Sequence, residues 1–598
     1  MIAQMGLFVD QDCAACEFPA IDPVEVNGRT YCRGCAPVAR RVVQSGAVTL
    51  RPYQEQAVSS VFDQFDAANK TLVVMPTGCG KTVVFAETIR RWEGARVIVM
   101  AHRDELIQQA RKKIEWVSGC ECDVEMGDYY ADRRSHSDRA PVVVTSVQTM
   151  SRTRRHSRFH PDDFDLLIID EAHHGTASTY RAVMDYFGQN QRLKILGVTA
   201  TPDRADEAAL GQIFETVAFD YQLVDAINDG WLVPIQQQFV QVAGLDLSQV
   251  KTTAGDLNQG QLAKIVEEEK TLHEFASPTI DLAGTKKTLV FTASVDQAER
   301  MSEIFNRHRS GCSEWICGDS VKCPMERRRE ILRQFALGSF QFLVNCGVLL
   351  EGYDEPGIEV VAVARPTKSR SLYAQIVGRG TRTLPGVVDG IEEAVARRAA
   401  IAASAKPSVL TLDFVGNSGK HKLVHTGDLL GGNYDDEVIA AATKAVRAKS
   451  TKGERADMLE ELAHAEQERR ERKRKERERV LAKAKFSAAT IDPFAAWDIL
   501  PIRREREPGW HKGRKPTPKQ LACLEKLGVP TKELSFCQAN QLITESFKRR
   551  EKGLATFKQC RILAKHGFKT DISFAQASEI IDRIAKSGWK LRNTEGVQ

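Results

Sequence analysis

Met75-Pro76-Thr77-Gly78-Cys79-Gly80-Lys81-Thr82 decides how the chain is read. An apolar run at 71–74 leads into it, and a helix is expected over 83–92. Gly78 and Gly80 let the backbone turn so that its N–H groups point inward. Lys81 can then reach the outer phosphates of a nucleotide, and the Thr82 hydroxyl can hold Mg²⁺. The helix N-terminus adds a partial positive charge beneath the phosphates. Pro76, Thr77 and Cys79 complete the candidate nucleotide loop. The alternative, a glycine-rich turn with a surface lysine, has to be weighed against the rest of the chain.

Working outward, apolar strand-like runs recur at 71–74, 97–101, 142–145, 166–169 and 195–198, with helix-like stretches between them. That alternation predicts a parallel α/β sheet covered on both faces, with ligands at the carboxyl ends of its strands. The run at 166–169 delivers Asp170-Glu171-Ala172-His173 to that edge. Asp170 is expected to orient the Mg²⁺ and Glu171 to polarise an attacking water. Thr199-Ala200-Thr201 ends another strand, with hydroxyls able to relay between two sites. Upstream, Arg51-Pro52-Tyr53-Gln54 opens the unit, and the Gln54 amide can pair with a base edge or face solvent.

A second set of buried-strand candidates at 240–242, 288–293, 342–346, 360–364 and 409–414 predicts a second parallel sheet. Helices are expected over 259–270, 296–308 and 387–405. Near-helical spacing lets Gln375, Arg379 and Arg382 share one face. Arginine, always charged and bidentate, suits a phosphate whose charge spreads in a transition state.

In this order the motifs resemble those of superfamily 2 helicases of the DEAH-box type, over roughly residues 48–420. Arg51 to Gln54 is similar to the adenine-side motif, and Gly78 to Thr82 to motif I. Residues 101–106 match motif Ia, 170–173 motif II and 199–201 motif III. Residues 351–356, with Gly352 and Asp354, resemble motif V, and 375–382 motif VI. The stretch from Arg365 to Tyr373 looks most like the RadD-like and XPB-like branch. Members commonly lack the first glycine of the loop, so Met75 fits the pattern.

The resemblance implies two tandem RecA-like domains and an ATPase with Mg²⁺. Arg379 and Arg382 would reach across a cleft to the γ-phosphate, so that hydrolysis requires closure. His173, Thr199 and Thr201 would couple the sites. Arg103, Thr145, Ser146, Gln148 and Thr292 would face the nucleic-acid backbone. The function expected is an ATP-dependent DNA helicase or translocase acting on single-stranded or branched duplex DNA as a monomer. The alternatives are an RNA helicase, an ATP-dependent nucleic-acid-binding switch, and a restriction-type motor subunit without unwinding.

Composition bounds the remainder. The chain has 598 residues, 42% hydrophobic and 27% charged, enough for several cored domains. A net charge of +5 is too small to name a polyanion partner. No basic segment followed by an apolar run opens the chain, and no run is long enough to span a bilayer. The expectation is a soluble intracellular protein, cytoplasmic or nucleoid-associated if prokaryotic or phage-encoded.

Cys13-x-x-Cys16 and Cys32-x-x-Cys35 stand 15 residues apart, with Asn27-Gly28 between them as a hairpin turn. Two such knuckles predict a structural Zn²⁺ with four thiolates and no open position for catalysis. The module departs from the RadD pattern, whose cysteines follow the motor. It could touch nucleic acid, bind a protein partner or simply stabilise its own segment. Residues 466–479 hold five Glu and eight Lys or Arg, with i,i+4 pairs that support a solvated helix. Arg503, Arg504, Arg506, Trp510, Lys512, Arg514 and Lys515 form a basic linker, either a tether or a strand-tracking segment.

The last segment repeats. Thr517, Gln520, Leu524, Gly528, Ser535, Phe536 and Ala539 recur as Thr556, Gln559, Leu563, Gly567, Ser573, Phe574 and Ala577. Each copy predicts helix, glycine-ended turn and Ser-capped helix. Lys548, Arg549, Arg550, Lys552 and Lys558 leave DNA contact and partner docking both open. The fold class expected is thus α/β, with two tandem RecA-like parallel-sheet domains, a small N-terminal zinc module and a C-terminal all-α repeat domain. The boundaries expected are 1–44 for the zinc module, 45–232 and 233–432 for the two sheets, 433–500 for a charged helical spacer, 501–516 for the linker and 517–598 for the repeats.

Overall fold

The computed structural model describes the backbone at 23–26 and 29–32, and residues 49–92, 94–101, 104–127, 129–131, 140–200, 204–253, 255–350, 353–419, 421–431, 434–483, 513–529, 531, 534–566, 568–589 and 591. Two strands near the start, β1 (Pro23–Val26) and β2 (Arg29–Cys32), pair antiparallel with Val26 opposite Arg29 and Pro23 opposite Cys32. That register leaves two residues for the connection, as the Asn27-Gly28 pair predicts. Cys13, Cys16 and Cys35 lie outside the described residues, and Cys32 is described only as the backbone end of β2.

The chain divides into two compact units. In the first, helix α1 (Pro52–Phe65) precedes β3 (Lys70–Val74), α2 (Lys81–Arg91) and β4 (Val97–Ala101). Then come α3 (Asp104–Ser118), β5 (Cys122–Glu125), β6 (Val142–Ser146), α4 (Val147–Met150) and α5 (Thr153–His156). The strands β7 (Leu166–Asp170), β8 (Lys194–Thr199) and β9 (Thr216–Asp220) follow, with α6 (Ser178–Phe187) between the first two. The sheet order is β5-β6-β4-β7-β8-β3-β9, parallel throughout. Every residue of β4 and β6 is buried, which explains why these strands read as unbroken apolar runs. The five strands expected from sequence form the middle of the sheet. The two that were not, β5 and β9, are its edges, where mixed sequences such as Cys122-Asp123-Val124-Glu125 bury less and leave a weaker pattern.

A second parallel sheet in the same unit uses β10 (Ile235–Asp246), β13 (Thr288–Thr292), β14 (Ser313–Cys317), β15 (Phe342–Cys346), β16 (Val360–Ala364) and β17 (Val409–Asn417). Between β10 and β13 a small hairpin, β11 (Thr252–Thr253) and β12 (Asp256–Leu257), stands apart. The order is β14-β15-β13-β16-β17-β10. β14 was not expected and is again an edge. Two helix expectations are corrected. The 259–270 stretch is two helices, Gln259–Val266 and Glu269–Ala283, and over 387–405 only Ala394–Ala402 is helical. The left-handed backbone of Gly386 and Gly390 breaks the approach to the latter.

The second unit holds 204–211, 236–239 and 424–598. The two-residue β18 (Ala456–Asp457) pairs antiparallel with Gln236 and Gln237. Helices Asp436–Ser450 and Met458–Lys483 follow the first sheets in sequence. Val438, Ala442, Val446, Met458 and Leu462 are buried, so the described residues 434–465 include packed structure. The solvated helix begins at Gln467, beyond which the described side chains other than Arg469 are exposed.

Of the basic linker, 501–512 lies outside the described residues. The repeat segment folds into helices Pro518–Leu527, Phe536–Glu551, Phe557–Lys565 and Phe574–Lys586, with Gly528 ending the first in a left-handed conformation and Gly567 outside the described residues. Each begins with a capping box, Thr517/Gln520, Ser535/Gln538, Thr556/Gln559 and Ser573/Gln576. Leu524, Ala539, Leu563 and Ala577, equivalent positions of the two copies, meet in one core. Arg549 belongs to that core and not to a binding face. It is 3% exposed and donates to the Ala555 and Thr570 carbonyls at 3.0 and 2.7 Å.

Candidate functional site

The loop after β3 is built as its glycines predict. Gly78 and Gly80 sit at φ +91° and +80°, conformations an L side chain rarely adopts, and Gly80 is the N-cap of α2. A Cβ at Gly80 would stand 2.5 Å from Gln54 Nε2. Below the loop, the Tyr53 hydroxyl and Gln54 Nε2 each donate to the Cys79 carbonyl at 3.0 Å. Gln54 Oε1 accepts from the Arg51 N–H at 3.0 Å. Both ends of the Gln54 amide are therefore engaged within the protein, and its side chain is buried against the loop. Burial pushes the Tyr53 hydroxyl and the Cys79 thiol up, so both are neutral at ordinary pH. Arg51 lies over the Trp231 ring, 4.7 Å from its centroid, which Arg397 also approaches at 3.8 Å.

At the end of β7, Glu171 has a left-handed backbone, φ +50°. Among the described residues Trp589 is the other non-glycine residue with positive φ. Such a conformation costs on the order of 1–3 kcal/mol and persists only where the surroundings impose it. Here it turns the side chain toward the loop. Lys81 Nζ lies 3.2 Å from Glu171 Oε1, and the second carboxylate oxygen lies 3.5 Å from His173 Nδ1. His173 Nδ1 in turn meets Thr199 Oγ1 at 3.0 Å. Residues from the ends of β3, β7 and β8 thus form one continuous polar chain. Asp170 Oδ1 accepts the Glu171 N–H at 3.0 Å. Thr82 stands one residue into α2, half-buried.

The second sheet contributes from the other side. A Cβ on Gly378 would lie 2.8 Å from Thr77 Cβ, and one on Gly78 would lie 3.2 Å from Arg382 Cγ. Between the sheets, Leu232 bridges Arg382, and the Val233 N–H donates to the Thr381 carbonyl at 2.8 Å. Arg382 Nη1 reaches Asp354 at 2.9 Å and the Tyr353 carbonyl at 2.8 Å. Burial works against its charge, with Asp354 opposing.

Arg379 differs. It is 4% exposed, and its Nη atoms donate to the Tyr353 and Leu350 carbonyls at 2.6 Å each. Gln375 is buried one helical turn before it. In this conformation Arg379 turns inward to the Leu350 and Tyr353 carbonyls, while Arg382 abuts the phosphate-type loop. Lys406, which no sequence pattern singled out, ties the same knot. It is 2% exposed and donates to the Pro356 and Arg382 carbonyls at 2.7 and 2.8 Å. Burial, then the neighbouring Arg382, pushes its ammonium down to about 7.

Thr145 is fully buried and donates to the Glu125 carbonyl at 2.7 Å. Ser146 caps α4 by accepting the Thr149 N–H at 3.3 Å. Thr292 donates to the Asn345 carbonyl at 3.0 Å. In this conformation Thr145 and Thr292 tie neighbouring strands together and Ser146 starts a helix. Of that group Gln148 is exposed. Arg103, Thr201 and Gly352 lie outside the described residues.

Residues 47–204 match the family described as Type III restriction enzyme, res subunit, and 269–383 match the Helicase conserved C-terminal domain. The chain is 30% identical over 354 residues to "Putative ATP-dependent helicase IRC3" of Saccharomyces cerevisiae, covering 56% of this chain and 50% of that one. It is 29% identical over 403 residues to "Putative mitochondrial ATP-dependent helicase irc3" of Schizosaccharomyces pombe, covering 66% and 61%. With "DNA 3'-5' helicase XPB" of Kineococcus radiotolerans it shares 26% over 355 residues, 56% of this chain and 57% of that one. The chain thus spans half to three-fifths of the length of these relatives. Among the described residues no helix is long and apolar enough to cross a membrane. Over both segments the chain is thus similar to helicases, and those segments fold as two parallel sheets that meet at one glycine-rich loop.

Proposed function

We propose that the chain is a DEAH-box motor that couples ATP hydrolysis to movement along, or unwinding of, DNA. The observation that carries this reading is the approach of Arg382 to Gly78 beside the Lys81–Glu171–His173–Thr199 chain. One sheet supplies a phosphate cradle and a carboxylate, the other a guanidinium, so turnover depends on how the two sheets meet. The helicase family implies ATP with Mg²⁺. The residues fit both. Left-handed glycines and a helix N-terminus favour an anion, and Thr82 with Asp170 offers the hard oxygen donors that Mg²⁺ prefers. When bound, the ion neutralises charge on the β- and γ-phosphates.

In this reading Lys81 holds the outer phosphates and Glu171 accepts the proton of the attacking water. Arg382 stabilises the charge that develops on the transferred group. His173 and Thr199 carry the state of the nucleotide to the rest of the sheet edge. The motor comprises 45–232 and 233–432, and the remaining segments select the substrate. DNA is favoured by the similarity to the DNA 3'-5' helicase of Kineococcus radiotolerans, and single-stranded or branched DNA is the substrate we assign, with the chain acting as a monomer. A restriction-type motor subunit is the second reading, favoured by the similarity of 47–204 to the Type III restriction enzyme res subunit.

Steady-state ATP hydrolysis with no polymer, single-stranded DNA, duplex DNA, forked DNA and single-stranded RNA tests the assignment. Stimulation of about ten-fold or more by DNA is expected. Stimulation by RNA alone would move the chain to the RNA class, and indifference to every polymer would sink the motor reading.

We also assign a structural Zn²⁺ to Cys13, Cys16, Cys32 and Cys35, supported by their spacing and by the β1–β2 hairpin backbone. Metal analysis of the full chain should find one zinc per chain. Cys32→Ser/Cys35→Ser should lose it and keep polymer-free ATP turnover. A metal-free wild type refutes the assignment.

A further inference from the structure

The segment 151–160, Ser-Arg-Thr-Arg-Arg-His-Ser-Arg-Phe-His, holds four arginines and no carboxylate. It follows β6 at the carboxyl edge of the first sheet, the edge that also carries the loop after β3 and the Asp170 end of β7. Beside it, the turn after β5 holds Tyr129 and Tyr130, 64% and 58% exposed. Neither ring is loose decoration. The Met126 and Tyr129 backbones bond to each other in both directions, at 3.0 and 2.8 Å. Arg155 and Arg158 lie against the Tyr130 ring, 4.0 and 4.7 Å from its centroid. Both guanidiniums share one fully buried carboxylate, Glu125, at 2.6 and 3.4 Å. Arg155 also donates to the Gly127 carbonyl, and Arg158 to the Ala131 carbonyl at 3.3 Å. Arg152 and Arg154 add exposed positive charge beside this cluster. The Tyr130 ring is held against two guanidiniums and Tyr129 is held by its backbone, with both rings exposed to water.

We propose that Tyr129 and Tyr130 are a stacking platform for the bases of a single-stranded nucleic acid, with Arg152 and Arg154 contacting its phosphates. The proposal rests on the reading of the chain as a nucleic-acid motor. A single strand is the occupant because unpaired bases expose the faces that an aromatic ring can cover, while a duplex buries them in its own stack. Every base has such a face, so the contact tolerates sequence, as a motor that moves along a strand requires. The exposed Gln148 stands on α4, which joins β6 to the arginine segment at the same sheet edge.

The test is fluorescence anisotropy of the full chain with labelled oligothymidylate across a salt series, with polymer-free ATP turnover measured in parallel. Tyr129→Ala/Tyr130→Ala should raise Kd about 10- to 100-fold, and Tyr129→Phe/Tyr130→Phe should restore near wild-type binding, because the ring and not the hydroxyl stacks. Arg152→Ala/Arg154→Ala should lower the slope of log K against log salt by about 1.4, from about 0.7 per phosphate on a single strand. Polymer-free turnover should be unchanged in all three. Wild-type Kd and salt slope in both alanine variants would overturn the platform while leaving the motor reading intact. A wild type that binds no single strand, DNA or RNA, would overturn both. Polyglutamate competing as well as the oligonucleotide would make the surface a dock for acidic protein and equally overturn the proposal.

Discussion

Lys81→Ala is expected to reduce ATP turnover by about three orders of magnitude or more. Removing a single preorganised donor from a developing anion costs about 10²–10³ in rate. Lys81 carries a full charge and is oriented before nucleotide arrives, 3.2 Å from Glu171 with both side chains largely buried. The low exposure strengthens each electrostatic term and weakens competition from water. Lys81→Arg should recover little, since a compact point charge is being replaced by a wider planar fork in a loop fixed by Gly78 and Gly80. A coupled assay with and without DNA measures the loss. Near wild-type Tm shows that the variant is folded, because α2 is anchored by its buried face from Val84 to Ile89. Turnover above a tenth of wild type in folded Lys81→Ala would sink the placement of the nucleotide.

Arg382→Ala should lower kcat by about 10³-fold or more, the range found for an arginine that stabilises phosphoryl-transfer charge. Nucleotide affinity should change by less than about ten-fold, because the contact strengthens in the transition state. The structure separates this effect from mere loosening. Arg382 packs on Gly78, pairs with the exposed Asp354 and shares the Tyr353 carbonyl with Arg379, so its loss leaves that acceptor paired. Arg379→Ala, by contrast, strips the buried Leu350 carbonyl of its guanidinium donor. That variant should lose about 1–3 kcal/mol of stability, visible as a lowered Tm, along with activity. Equal Tm losses in the two variants, with proportionate losses of nucleotide binding, would make Arg382 structural and refute its role in the reaction.

Why these two arginines differ could not be read from Gly378-Arg379-Gly380-Thr381-Arg382. Spacing put them on one face, and the resemblance assigned both to the phosphate. Both meet the Tyr353 carbonyl, and Arg379 alone reaches the buried Leu350 carbonyl, 29 residues earlier in the chain. The same holds for Thr145, Ser146 and Thr292. Each lies at the end of a strand at the expected edge, where the Thr145 and Thr292 hydroxyls find partners in the neighbouring strand and Ser146 finds one in the helix that follows. Lys406 and the Arg155–Tyr130–Arg158 stack carried no sequence signal. An isolated lysine, and tyrosines 25 and more residues from the arginines beside them, have no fixed spacing to notice.

The sequence by itself determined what is local. The buried central strands announced themselves as apolar runs because both of their faces are covered. The loop glycines announced a left-handed backbone, and four Ser/Thr-x-x-Gln boxes announced the helix starts of the repeat. Such signals come from backbone sterics and hydrogen bonds within a few residues. Tertiary structure alone decided the strand order, the edge strands, the Lys81–Glu171–His173–Thr199 chain and the contact of Arg382 with Gly78. Those pairings join residues far apart in the chain, and they exist because burying two sheets leaves only certain strand ends, and certain polar groups, within bonding distance of one another.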